Sequence, residues 1–187
     1  MKGMLLIKLI LFSIATIGVV WISRPSLHNI QHHGFYRFLS WETILILFLI
    51  NVEYWFVDPF SLWQIISWSF LVLSLLLIYQ GIQLFRKTGG IDGGRLDPQL
   101  LGVEKTTELV TTGIYHYIRH PFYSSLLFLS WGIFFKHISW IGLILAGMNT
   151  VFLVVTAKRE ESENIAYFGE EYRQYMNQTR MFIPYLF

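Results

Sequence analysis

The sequence contains no cysteine, and charged residues make up only 14% of its 187 positions. The first absence excludes disulfides, thiolate nucleophiles and cysteine-ligated metals or clusters. The second leaves too little polar material to cover a water-soluble globule of this size, because 54% of the residues are hydrophobic and 18% aromatic. The bilayer is therefore the expected solvent. Five prolines and 14 glycines point to neither a disordered nor a fibrous chain. The formal charge of +2 is small and the basic residues fall between apolar runs, so no nucleic-acid partner is expected.

Five apolar runs read as membrane spans, at residues 4–22, 38–56, 62–85, 122–135 and 138–157. About 20 apolar residues cross the roughly 30 Å of hydrocarbon as a helix, so the fourth run is expected to tilt or stop short. Lys2 and Lys8 give the first run a signal-like start. No small-x-small cleavage site follows, however, and Trp21 with Arg24-Pro25 closes the run like a membrane boundary. Asp58-Pro59 turns the second run into the third. A polar loop at 86–121 carries turns at Gly89-Gly90, Gly93-Gly94 and Asp97-Pro98. In the polar terminal segment 158–187, Ile165, Phe168, Tyr172 and Tyr175 recur at spacings of three and four, which predicts an amphipathic helix.

Under this arrangement Arg24, Arg37, Arg86, Lys87, Arg95, Lys105, Arg119, Lys158, Arg159, Arg173 and Arg180 fall on one side. Lys2, Lys8 and Lys136 fall on the other, a bias of 11 to 3. The expectation is one all-α integral membrane domain of about five transmembrane helices, 1–187, with its carboxyl terminus cytoplasmic, which for a prokaryotic chain means the inner membrane. The loop and the terminal helix, the only segments polar enough, would build the functional site on that side.

From Gly113 the chain reads Gly-Ile-Tyr-His-Tyr-Ile-Arg-His-Pro-Phe-Tyr. Pro121 suits the first turn of the next helix, which sets Arg119 and His120 at a helix mouth. Free amides and the positive end of the dipole there would attract a carboxylate or phosphate, although an isolated Arg-His-Pro also ends loops at lipid headgroups. About 40 residues later come Arg159, Glu160 and Glu161, then Phe168-Gly169, Glu171-Tyr172, Tyr175, Arg180 and Pro184.

Together, over Leu109 to Pro184, these elements resemble the signature of the isoprenylcysteine carboxyl methyltransferase family, whose relatives include phospholipid methyltransferases. The resemblance implies S-adenosylmethionine (S-adenosyl-L-methionine) as methyl donor, bound between the Arg-His-Pro segment and the C-terminal helix, with a lipophilic acceptor entering from the lipid bilayer. It implies backbone contacts from Leu109, Val110 and Gly113. Tyr115, Arg119, His120, Pro121 and Tyr123 would wall the donor, and Glu160 or Glu161 would take its ribose or amino group. His120, Glu160 and Arg159 are the candidate catalytic residues, the first two as bases for an acceptor that must lose a proton. The family's acceptor-side arginine is Thr156 here, one of its glycines is Ser125 and one of its leucines Asn164, so the donor half of the pattern matches better than the acceptor half.

Asn149, Thr156 and Glu160, spaced seven and four apart, share a helix face that would line an acceptor tunnel or pack against a neighbour. His28, His32 and His33 lack carboxylates at ligand spacing, and no metal is expected. Two other function classes compete: an NADPH-dependent membrane reductase of the sterol type, and a non-catalytic membrane scaffold. Paired glutamates suit the first poorly, because they would repel an added phosphate. The second leaves the clustering of motifs on one face unexplained.

Overall fold

The computed structural model describes residues 2–88 and 107–186, so the turns expected at Gly89-Gly90, Gly93-Gly94 and Asp97-Pro98 lie outside the described residues. Among the described residues six α-helices follow one another: α1 (Lys2–Leu27), α2 (His33–Asn51), α3 (Leu62–Thr88), α4 (Pro121–Phe134), α5 (Trp140–Phe168) and α6 (Glu170–Gln178). Four stretches, Gly3–Leu27, His33–Tyr54, Leu62–Leu84 and Trp140–Phe168, are long and apolar enough to cross a membrane. The fourth expected span is the short apolar helix α4, whose 14 residues reach only about 21 Å at 1.5 Å each. The expected all-helical membrane architecture is thus present.

Helix ends differ from the expected span ends. The first expected span closes at residue 22, yet α1 runs on to Leu27 with Pro25 inside it. The last closes at 157, yet α5 continues to Phe168 for 29 residues, about 43 Å. A hydropathy boundary marks where a helix leaves the hydrocarbon, and backbone hydrogen bonding carries it beyond. Residues 158–168 contain no proline or glycine, and Lys, Arg and Glu there are good helix formers. Gly169 breaks the helix with φ 64°, and α6 starts in a new direction. The expected terminal helix is therefore two pieces, the first continuous with the last span.

At the α1–α2 corner a Cβ on Gly34 would lie 2.4 Å from Ser26 Oγ, so only glycine lets the two helices approach. α3 packs along α4, where Ser67 Oγ donates to the carbonyl of Gly132 at 2.7 Å. α2 packs along α5, where Ser40 Oγ donates to Asn149 Oδ1 at 2.6 Å. Two apolar clusters fill the bundle. One contains Ile44, Leu47, Leu71, Ile133, Phe134 and Ala146, and the other, nearer the start of α4, contains Tyr123, Leu127, Leu153, Ala157 and Phe182. The outer face of α1 is left to lipid, with Ile17 69% and Trp21 76% exposed. Thr16 of α1 donates at 2.7 Å to Glu42, halfway along α2.

Candidate active site

The chain enters the site through a 3-10 turn, Gly113–His116. Gly113 has φ 60°, and a Cβ there would meet Leu84 at 2.4 Å, so the turn calls for glycine. Residues 117–120 then run beside the C-terminal tail. Ile118 and Arg180 form an isolated parallel bridge. The Arg180 amide donates to the Tyr117 carbonyl at 3.0 Å, Arg119 donates to Arg180 at 2.8 Å and His120 to Met181 at 3.2 Å. Pro121 occupies the first turn of α4 as the sequence predicts. The Arg119 and His120 amides, just ahead of the helix, are thus taken by the tail. Ser124 completes the join, its hydroxyl shared between the carbonyls of His120 (2.9 Å) and Phe182 (2.8 Å).

Against this mouth α5 presents two carboxylates. Arg119 Nε donates to Glu161 Oε1 at 2.7 Å, while its Nη1 donates to the carbonyls of Thr179 (2.5 Å) and Met176 (3.2 Å). His120 lies between the pair, with Nε2 3.4 Å from Glu161 and Nδ1 3.9 Å from Glu160. The Tyr123 hydroxyl donates to Glu160, and its ring stacks on His120 with centroids 5.4 Å apart. Behind them Tyr115, Tyr172 and Tyr175 are buried. Burial, joined at Tyr115 and Tyr172 by the nearby Glu160 charge, holds these phenols well above their usual range. At Tyr175 burial outweighs the opposing pull of Arg119. All three phenols stay protonated, and the Tyr175 hydroxyl donates to the Tyr115 carbonyl at 2.7 Å.

Among the residues singled out from sequence, Arg119, His120, Tyr123, Glu160 and Glu161 converge, with Pro121 and Tyr115 beside them. Val110 is buried. Leu109 borders a cavity of about 230 Å³ lined also by Thr111, Glu171, Tyr175 and Thr179. Gly113 borders a larger one, about 530 Å³, which faces Tyr79 and Gln83 of α3. The larger thus borders the start of the first motif, and the smaller the C-terminal motif residues Glu171 and Tyr175. Arg159 stands exposed on the flank of α5. Asn149 and Thr156 are fully buried. Asn149 faces α2 through Ser40, and Thr156 donates to its own helix at Phe152 (2.7 Å). Glu160 turns away from them toward α4. Sequence reasoning missed Met176, Thr179, Met181 and Phe182, because they act through backbone carbonyls that any residue type supplies.

A model of the phospholipid methyltransferase family matches residues 62–171, more than half of the chain. Three curated proteins are similar. A methanethiol S-methyltransferase of Crocosphaera subtropica is 30% identical over 76 residues, covering 41% of this chain and 29% of that protein. Methanethiol S-methyltransferase 1 of Bradyrhizobium diazoefficiens is 33% identical over 88 residues, covering 46% and 30%. A methanethiol S-methyltransferase of Pseudomonas deceptionensis is 24% identical over 154 residues, covering 74% and 56%. The chain therefore spans under a third of the first two relatives. No solved structure matches it.

Proposed function

Since this chain belongs to the phospholipid methyltransferase family, we propose that it is an integral membrane methyltransferase that transfers a methyl group from S-adenosylmethionine to a lipophilic acceptor. One observation carries the reading: Arg119, His120, Tyr123, Glu160 and Glu161 meet within hydrogen-bond or ion-pair reach at the junction of α4 and α5. The donor set suits the cofactor. S-adenosylmethionine offers ribose hydroxyls and an ammonium that need acceptors, and a carboxylate that needs donors. Glu160 and Glu161 are the acceptors, Arg119 and His120 the donors, and Tyr115 with Tyr123 gives aromatic walls.

The cofactor supplies a methyl carbon already activated by its sulfonium, so the protein has only to align donor and acceptor and exclude water. Tyr123, by holding Glu160, and Arg119, by holding Glu161, keep the carboxylates aimed before a ligand arrives. A carboxylate acceptor attacks as it stands. A thiol or amine must first lose a proton, which His120, lying between the two carboxylates, is positioned to accept. The relatives' names favour a small thiol, and the family's description a phospholipid. Nine described basic residues at the site end, Arg24, Arg37, Arg86, Lys87, Arg119, Lys158, Arg159, Arg173 and Arg180, support a cytoplasmic orientation in the inner membrane.

Calorimetry on the purified protein tests the donor. S-adenosylmethionine or its demethylated product binds and NADPH does not, and Glu160→Gln with Glu161→Gln weakens binding at least tenfold, about 1.4 kcal/mol. NADPH binding, or unchanged affinity in the double variant, overturns the reading. Labelled-methyl transfer into methanethiol and into a total lipid extract then separates the acceptors.

A further inference from the structure

A polar cluster on α2 and α5 stands apart from that site. His33, the first residue of α2, is fully buried, and both oxygens of Glu163 on α5 close on it. The His33 amide donates to Glu163 Oε1 at 3.1 Å, and His33 Nδ1 lies 2.5 Å from Oε2. His32 Nε2 stands 3.7 Å from the same carboxylate. Beneath them Arg37, 2% exposed, brings Nη1 to 3.4 Å from His33 Nε2, with its guanidinium carbon 5.3 Å from the Trp41 ring centre.

The ligand atoms of His32, His33 and Glu163 all lie within 4.8 Å of one another, as a metal centre requires. Hydrogen-bond polarity argues against a metal. A guanidinium can only donate, so His33 Nε2 must accept from Arg37, which forces the proton onto Nδ1 facing Glu163. A metal on Nδ1 would need the other tautomer and set an N–H against an N–H. Likewise His32 Nδ1 accepts from the Gly34 amide at 3.0 Å, leaving its proton on Nε2 toward Glu163. A bound cation would also sit beside the positive end of α2 and the buried Arg37 charge.

The cluster is instead a one-way relay from Arg37 through His33 to Glu163, and its position on α5 gives it a role. Successive residues of a helix turn about 100°, so Glu160, Glu161 and Glu163 leave α5 in three directions. Glu160 reaches Tyr123 of α4, Glu161 reaches Arg119, and Glu163 reaches α2. We infer that Glu163, gripped by the Arg37–His33 relay, is a positioning residue that fixes the rotation of α5 and thereby aims Glu160 and Glu161 into the methyl-donor site. The inference rests on the donor-site reading above. Its α2 half, His33 and Arg37, lies outside the segment matched by the family model.

A double-mutant cycle on the full chain in detergent tests it. Glu163→Gln leaves one carbonyl oxygen for two donors, the His33 amide and Nδ1–H, so its NH2 opposes one of them, a mismatch that His33 cannot relieve by changing tautomer while Arg37 donates. S-adenosylmethionine affinity should fall about tenfold. In an Arg37→Met background the tautomer is free to change, and the same substitution should cost about threefold or less. Glu163→Asp, which keeps the charge and shortens the reach, should be intermediate. Because the chain has no cysteine, spin labels at His116→Cys and Ser162→Cys report the angle of α5 directly. Their distance distribution should be narrow in the parent and broad with Glu163→Gln. Additive costs in the cycle overturn the relay, an unchanged distribution overturns the positioning role, and stoichiometric zinc binding lost in Glu163→Gln replaces the relay with a metal centre. Should the parent fail to bind S-adenosylmethionine, the donor-site reading falls while the distance measurement still decides the relay.

Discussion

Where α4 begins, Glu160 and Glu161 are met by Arg119, His120 and Tyr123, whereas where α4 stops, Lys136 is buried at 5% exposure among neutral groups. Its ammonium donates to Gln64 Oε1 at 3.0 Å and stands 3.6 Å and 5.1 Å from the ring centres of Trp68 and Trp55. Burial lowers its pKa to about 8. Tyr54 and His137 stack alongside at 3.9 Å. Opposed charges with several hydrogen bonds each can exchange one partner for a polar ligand at little cost. Among the described residues this cation, held by indole faces and an amide, has no counter-charge to trade, and serves to tie the α2–α3 turn to the α4–α5 turn.

The comparison can be broken most severely at Arg119. Arg119→Met strands the Glu161 charge and releases the tail carbonyls of Met176 and Thr179, and removal of one member of a buried ion pair costs about 3–5 kcal/mol. The expected result is loss of most monodisperse protein on detergent gel filtration. A variant as stable as the parent would mean that the tail is held elsewhere.

A smaller effect of distinct sign is expected at Lys136. Its folded-state pKa of about 8 lies below the usual lysine value of 10.5, so the unfolded chain binds the extra proton between these limits. The resulting cost is fully present below pH 8 and is relieved as pH rises toward 10.5. Thermal unfolding of the parent relative to Lys136→Met should therefore show increasing stability from pH 8 to pH 10. A parallel pH dependence in both proteins would show that the indole faces compensate fully for lost hydration.

The gentlest probe is Tyr175→Phe, which removes one donor to the Tyr115 carbonyl and costs about 1 kcal/mol, read as a drop of a few degrees in the unfolding midpoint. A larger loss would show that the Tyr115 carbonyl, once left without this donor, gains no water in its place.

Much of the architecture was legible because bilayer insertion is written in runs of apolar residues. The Arg-His-Pro segment and the paired glutamates were legible because their chemistry needs those side chains. Three other features left no local signal. Met176, Thr179 and Met181 act through carbonyls. The Glu163 carboxylate comes to His33 from 130 residues away. The kink at Gly169, which splits the expected terminal helix in two, is set by a backbone angle that helical periodicity does not register. The stripe of Asn149, Thr156 and Glu160 is regular on a helical wheel, yet a wheel carries no information on which neighbour each residue meets.

Gly169 joins α5 to α6 with φ 64° and ψ −132°, and a Cβ built there would meet nothing within 4 Å. The requirement for glycine is thus one of handedness and not of room. Reflected, these angles are those of the extended polyproline conformation, which an ordinary L-residue adopts without strain. A D-alanine introduced by semisynthesis would therefore suit the joint, and by narrowing the unfolded chain's choices would hold the bend more firmly than glycine does, whereas L-alanine, equally small, would oppose it.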